Sequence, residues 1–336
     1  MATIKDVAAR AEVSVTLVSR YINQKKGVGP ESAKRIQEAI DELNYKPNAL
    51  ARSLVQGETK TIAVLLDNLC SSRMFPFIQG IEEVVHAAGY TVIFLSGAGD
   101  VRRKAQIFNE YSRGRVDGIL VYGELEFDLR EDDLRGTTQL PLTFVDSDIT
   151  FFSGDHVKFD SAQGSYQLAR HLLRDRRWVC LFTADKDSRE TQNRMNGYAR
   201  AVREVSDEDH MHMVESGWSE QEGYQTMIRL LSKGICPEAV MAASDDCACG
   251  VMKALVEFGK RIPEDVAVTG FGGDTPVADP RLPALTTIHQ PLREIGKEAA
   301  KMLLLRISQP GLPLENRYFP SQLSLHRSSR SSVQGG

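Results

Sequence analysis

Between Ser14 and Arg20 the chain gathers short polar side chains around one arginine: Ser14, Thr16, Ser19 and Arg20. Hydroxyls beside a planar guanidinium suit phosphate oxygens and the edges of bases, and they do not assemble a nucleophile with its base. Elsewhere there is no Gly-x-Ser-x-Gly elbow, no glycine-rich loop ending in Lys-Ser or Lys-Thr, and no His-Glu-x-x-His helix. The enzyme classes that those motifs serve are excluded. Gly97-Ala98-Gly99 and Gly270-Phe271-Gly272-Gly273 lack a third glycine at the dinucleotide-binding offset and read as ordinary strand-to-helix turns. Five cysteines, Cys70, Cys180, Cys236, Cys247 and Cys249, are odd in number and sit mostly in apolar surroundings, which reads as reduced core thiols. Cys247 and Cys249 have no second cysteine or histidine pair to complete a zinc site. We therefore expect no enzymatic activity, no metal and no cofactor.

The polar set needs a helix to present it. Leu17, Val18 and Ile22 give the segment after Ser14 an apolar side, while Val15, Thr16, Ser19 and Arg20 face elsewhere. A first helix is marked by a capping box at Thr3 and Asp6, followed by Ile4, Val7, Ala8 and Ala11. A third opens at Gly29-Pro30-Glu31 and continues through Ile36, Ile40 and Leu43. Such an all-α unit either inserts its second helix into a major groove or serves as a helical interaction module. Residues 1–60 hold ten Lys or Arg and seven Asp or Glu, so this end is +3 and the remainder −7 in a chain of −4 overall. A basic head on an acidic body fits a protein that offers one end to DNA phosphates.

After Pro47 to Gly57, eleven residues too few for a stable isolated helix, the pattern changes. Apolar runs of strand length alternate with helix-length segments: Thr61 to Leu66, Thr91 to Leu95, Gly118 to Tyr122 and Leu142 to Val145. A second series follows at Trp178 to Phe182, Met211 to Glu215, Ala239 to Ala243 and Val266 to Phe271. Two parallel-sheet, Rossmann-like α/β lobes are expected. In a chain of 336 residues, 42% apolar and 26% charged, no run reaches membrane-spanning length, and Met1 to Asp6 has no signal-peptide build. A cytoplasmic location away from membranes follows. The tail after Leu325 is rich in Ser, Arg and Gly and has no leucine heptads.

Thr3-Ile4-Lys5-Asp6-Val7-Ala8, Val13 to Arg20, Asn23, and the run Leu43-Asn44-Tyr45-Lys46-Pro47-Asn48-Ala49-Leu50-Ala51-Arg52-Ser53-Leu54 together resemble the LacI/GalR family of bacterial repressors. The resemblance extends through essentially the whole chain. It implies a helix-turn-helix headpiece over 1–46, a hinge helix over 47–57, and a two-lobed, periplasmic-binding-protein-like effector and dimerisation domain over 58–336. The first lobe is expected at about 58–157 and 288–317 and the second at about 158–287 and 318–330, with crossings near Val157, Ile288 and Tyr318. By the same likeness Val15, Thr16 and Arg20 read base edges: a thymine methyl, a hydrogen-bonding edge, and guanine O6 and N7 respectively. Ser14, Ser19, Asn23 and Arg52 join them as backbone-contacting positions, and Thr3 as a further DNA-binding position. Leu54 enters the minor groove as a wedge once two hinges pair on the operator. Glu12 departs from the glycine usual at the turn, and Tyr21 from a smaller aliphatic residue.

In the cleft the likeness implies effector contacts from Asp67, Arg73, Phe75, Asp146, Arg194, Trp218, Ser244, Asp245 and Asp274. A tryptophan face would stack on a ring while carboxylates and an arginine hold hydroxyls or ring edges. Gly272-Gly273-Asp274 stands where the family has two aspartates directly after the aromatic residue, and Ser244 where asparagine is common. The expected effector is a sugar or phosphosugar. A purine or nucleoside is the alternative, because Leu285-Thr286-Thr287-Ile288-His289-Gln290-Pro291 resembles the purine-responsive members. The expected partners are double-stranded, pseudo-palindromic operator DNA and a second copy of the chain. If Leu54 is the wedge, Leu54→Ala lowers operator affinity and DNA bending together, read by gel mobility of circularly permuted duplexes; unaltered bending would remove the wedge.

Overall fold

The computed structural model describes residues 2–23, 26–45, 58–67, 69, 74–125, 140–186, 188–205, 211–273, 277 and 279–330. They fall into two compact units, Met1–Lys60 and Thr61–Gly336.

In the first unit, α1 (Ile4–Arg10), α2 (Val15–Ile22) and α3 (Pro30–Glu42) close around Val7, Ala8, Ala11, Val18, Ile36 and Ala39, all buried. Their starts are fixed locally. The Thr3 hydroxyl accepts from the Asp6 amide while the Asp6 carboxylate takes the Thr3 amide at 2.7 Å, and Ser14 caps α2 through the Leu17 amide at 3.2 Å. Glu12, in the turn between α1 and α2, has a φ of +53°. That left-handed backbone is what glycine adopts freely and costs another residue about 1–2 kcal/mol. The departure at Tyr21 has a use: its hydroxyl donates to Gln37 Oε1 at 2.9 Å and ties α2 to α3.

The second unit has two lobes. One lobe contains β1 (Thr61–Leu66), α4 (Met74–Ala87), β2 (Thr91–Ser96), α5 (Val101–Tyr111), β3 (Gly118–Tyr122), β4 (Leu142–Val145) and β5 (Asp155–Phe159). The chain then builds the other from α6 (Ser161–Leu172), β6 (Val179–Thr183), α7 (Arg189–Arg203), β7 (His212–Glu215), α8 (Glu220–Ser232), β8 (Ala239–Met241), α9 (Asp245–Glu257) and β9 (Ala267–Thr269). After β10 (Thr287–His289) it returns to the first lobe for α10 (Leu292–Ser308) and β11 (Asn316–Phe319), and β12 (Gln322–Ser324) pairs antiparallel with β10. The first sheet runs β11-β5-β4-β3-β1-β2 and the second β7-β6-β8-β9, every pairing parallel.

Layering explains the apolar runs. β3, β4 and β6 are buried at every residue because helices cover both faces of their sheets. The helix layers approach closely at glycines: a Cβ on Gly197 of α7 would overlap the Ala162 carbonyl oxygen of α6, and one on Gly80 of α4 the Arg293 carbonyl oxygen of α10. The crossings fall just beyond Val157, Ile288 and Tyr318, since each of those residues lies inside a strand.

A buried pair anchors the returning chain. Arg306 of α10 grips Asp155 of β5 with two bonds, Nε to Oδ2 at 3.0 Å and Nη2 to Oδ1 at 2.7 Å. It also donates to the carbonyls of Leu312 and Pro313, while the Glu315 amide donates to Asp155 at 2.9 Å. With side chains only 10% and 3% exposed, this geometry holds β11 against β5.

Two half-buried histidines contribute to the acid response between pH 7 and 5. Burial, then Lys158, pushes His156 below the ordinary 6.5. Burial, then Arg174 and Arg330, does the same at His171. A depressed histidine favours the neutral ring in the folded state, so its contribution is complete above pH 6.5 and lost as pH falls toward the folded value. The melting temperature should therefore decline from pH 7 to 5, with a shallower slope in His171→Gln; a flat profile would contradict this.

Candidate DNA-reading helix and ligand cleft

On α2 the core takes Val18, leaving Val15, Thr16 and Arg20 exposed, with Val15 at 41% of its free surface. Ser14, Thr16 and Ser19 supply hydroxyls on the same short element, and Ser14 is engaged as the cap. Thr3 is likewise bound to Asp6, and Asn23 donates to the Ser19 carbonyl at 2.8 Å. These three side chains hold helix ends. Arg52, Leu54 and the whole 47–57 hinge lie outside the described residues.

In the body, Asp67, Asp146, Trp218, Ser244 and Asp245 follow the C-terminal ends of parallel strands, where open α/β sheets bind ligands. Asp67 follows β1. Its carboxylate meets Lys104 Nζ at 2.5 Å, and Lys104, fully buried, also donates to the Tyr122 carbonyl at 2.8 Å. Burial pushes the Lys104 ammonium down, against the pull of Asp67. Asp146 follows β4 with a φ of +49°. Its carboxylate accepts the Phe159 amide at 2.7 Å and the Gln290 side chain at 3.3 Å, so it touches two chain crossings.

The second lobe centres on Arg194. Only 5% exposed, its guanidinium lies 3.7 Å from the Phe271 ring centroid and 5.1 Å from that of Trp218, and it donates to the Ala243 carbonyl and to Glu190. A cation between aromatic faces with a carboxylate behind it makes a stiff wall. Ser244 caps α9 through the Cys247 amide at 2.9 Å and donates to the Trp218 carbonyl, which places the indole. Asp245 is buried, accepting the Gly273 amide at 2.6 Å and the Thr287 hydroxyl at 2.5 Å, and so joins α9 to the β10 crossing. Beside it opens a cavity of about 520 Å³ lined by Thr287, His289, Ser324 and His326 among others.

Phe75 stands 59% exposed on the first turn of α4, with no ring contact to Trp218 or Phe271 in the described structure. Arg73 and Asp274 lie outside the described residues. Sequence reasoning missed a charged contact that spans the two lobes: Arg189, the first residue of α7, pairs with Asp148, and Lys158 of β5 meets the same carboxylate at 2.5 Å. Partial burial raises the Asp148 pKa, but Lys158 and Arg189 outweigh it and hold the carboxyl below its ordinary range. No local pattern marks a pair 41 positions apart. Among the described residues, no His, Cys, Asp and Glu cluster could hold a metal ion, and no helix is long and apolar enough to cross a membrane.

Residues 3–48 match the family model for bacterial regulatory proteins of the lacI family, and residues 169–329 the one for a periplasmic binding protein-like domain. The ribose operon repressor of Haemophilus influenzae is 33% identical, covering 92% of this chain and 93% of its own. The HTH-type transcriptional repressor PurR of Vibrio atlanticus is also 33% identical, over 91% and 92%. Among solved structures, the Lac repressor dimer bound to operator and the anti-inducer ONPF superposes with a TM-score of 0.82 at 25% identity, covering 98% of this chain and 99% of the other. A LacI family regulator from Enterococcus faecium with bound ribose gives 0.71 at 26%, over 80% and 98%. The chain belongs to the lacI family of bacterial regulatory proteins, DNA-binding transcriptional regulators that join a helix-turn-helix headpiece to a two-lobed, periplasmic-binding-like body.

Proposed function

We propose that this regulator is a cytoplasmic, dimeric repressor without enzymatic activity, and that an uncharged sugar in the interlobe cleft controls its hold on a pseudo-palindromic operator. The observation that carries the ligand reading is the pairing of charge around the cleft. Lys104 is held by Asp67, Lys158 and Arg189 by Asp148, and Arg194 by Glu190. Asp146, Asp245 and Glu124 add further carboxylates. Among the described residues, a phosphate entering this set meets cations already paired with acids, whereas sugar hydroxyls can donate to the acceptors present. The ribose operon repressor and the ribose-bound regulator among its relatives support the sugar reading. The PurR relatives support a purine as the second reading.

On the DNA side, Arg20, Thr16 and Val15 carry base discrimination and the polar helix ends carry register. Two copies related by a twofold axis read two half-sites, as the operator-bound Lac repressor dimer supports.

Two measurements test this. Arg20→Ala should weaken binding to an operator selected by enrichment by about 1–3 kcal/mol and leave random-sequence DNA and ligand affinity unchanged at fixed salt; equal loss on both duplexes would overturn the assignment. In a thermal-shift series of pentoses, hexoses, their phosphates and nucleobases, a free sugar should raise the melting temperature, and Trp218→Ala should abolish the rise. A response to phosphosugars or nucleobases alone would reject the uncharged-sugar reading.

A further inference from the structure

We propose that Arg189, Asp148 and Lys158 form a salt-sensitive latch between the two lobes that favours the closed cleft over the open one. Asp148 is positioned by its own lobe: Lys158 Nζ lies at 2.5 Å, and the Asp148 amide donates to the Glu124 carboxylate at 3.0 Å. Arg189 reaches it from the other lobe, at the start of α7. The three crossings join the lobes covalently and cannot part. The Arg189 contact can, because it lies across the cleft rather than along the connecting chain.

Its exposure fits a contact that opens and closes. The Arg189 side chain is 53% exposed and that of Asp148 33%. When Arg189 leaves, Lys158 still meets Asp148 and Arg189 reaches solvent, so no buried charge is stranded. The contrast is Arg306 with Asp155, 10% and 3% exposed, where separation would strand both charges. A partly solvated pair is also screened by salt.

The latch is linked to the cleft residues by short stretches of chain. Asp148 is two residues beyond Asp146, and Arg189 is five before Arg194 on the same helix. A change in lobe separation therefore moves Asp146 and the Arg194 wall with the latch, and the fraction of closed protein scales apparent ligand affinity. That last step rests on the proposed cleft function; the latch itself does not.

The test is made on the full-length dimer with one labelled protomer, using genetically encoded spin labels at exposed Gln106 of α5 and Ser232 of α8 and no ligand. Pulsed electron resonance gives the interlobe distance distribution. The parent should shift toward longer distances as sodium chloride rises from about 0.05 to about 0.5 M. Asp148→Asn and Arg189→Gln should each show the longer component at low salt, an about two- to fivefold change in the closed-to-open ratio, with no further salt response. Identical distributions in parent and both variants would overturn the latch. So would a shift in Asp148→Asn alone, since that would place the effect in the Lys158 contact within one lobe. If the latch behaves as expected while no sugar shifts the melting temperature, the ligand reading fails by itself.

Discussion

Three passages of chain join the two lobes of the body, and that covalent constraint governs what the rest of the structure can do. With β5 leading out of the first lobe, β10 leading back and β11 giving way to β12, the lobes can rotate about one line but cannot separate. Polar side chains tie the crossings to the lobes. Asp146 holds both Phe159 and Gln290, and Asp245 holds Thr287, while Asp155 with Arg306 anchors the starts of β5 and β11 at the far end of their sheet. Each is an acceptor paired with a donor from a distant part of the sequence, so a small displacement at one crossing is felt at the others.

That constraint bears on the proposed cleft. Side chains that follow strand ends in both lobes are held by protein partners. The Arg194 guanidinium lies over the Phe271 and Trp218 rings and donates hydrogen bonds to Glu190 and the Ala243 carbonyl. Lys104 is spent on Asp67 and the Tyr122 carbonyl. Under the proposed reading, a pre-organised wall of this kind loses little entropy when a sugar binds, and its acceptors favour a donor.

Much of the fold was legible because its signals are local. Thr3 with Asp6, Ser14, and Gly29-Pro30 mark helix starts that the structure places at α1, α2 and α3. Thr61–Leu66, Gly118–Tyr122 and Leu142–Val145 are strands at the expected residues, since burial on both faces leaves continuous apolar runs. Asp155–Phe159 was not legible: it puts an aspartate on the buried side with Val157 and Phe159, which makes sense only once Arg306, 151 positions away, pairs with Asp155. β10 and β12, three residues each, carry no periodicity to detect. The site divides the same way. Asp146, Arg194 and Asp245 could be singled out one by one, but Gln290 as the partner of Asp146, 144 positions away, and Arg189 as the partner of Asp148 belong to the tertiary fold and have no signature in spacing. At Glu12 the departure from glycine coincides with a backbone at φ +53°, so sequence alone located the strained turn without showing its geometry.

The central claim is that cleft and headpiece share one equilibrium, and linkage gives its most direct test: calorimetric titration of the stabilising sugar into the free dimer and into the dimer saturated with operator. Thermodynamic reciprocity requires the two ligand affinities to differ by the same factor by which that sugar changes operator affinity. The account predicts a ratio well away from one and equal from both directions. Equal ligand affinity in the presence and absence of operator would contradict it.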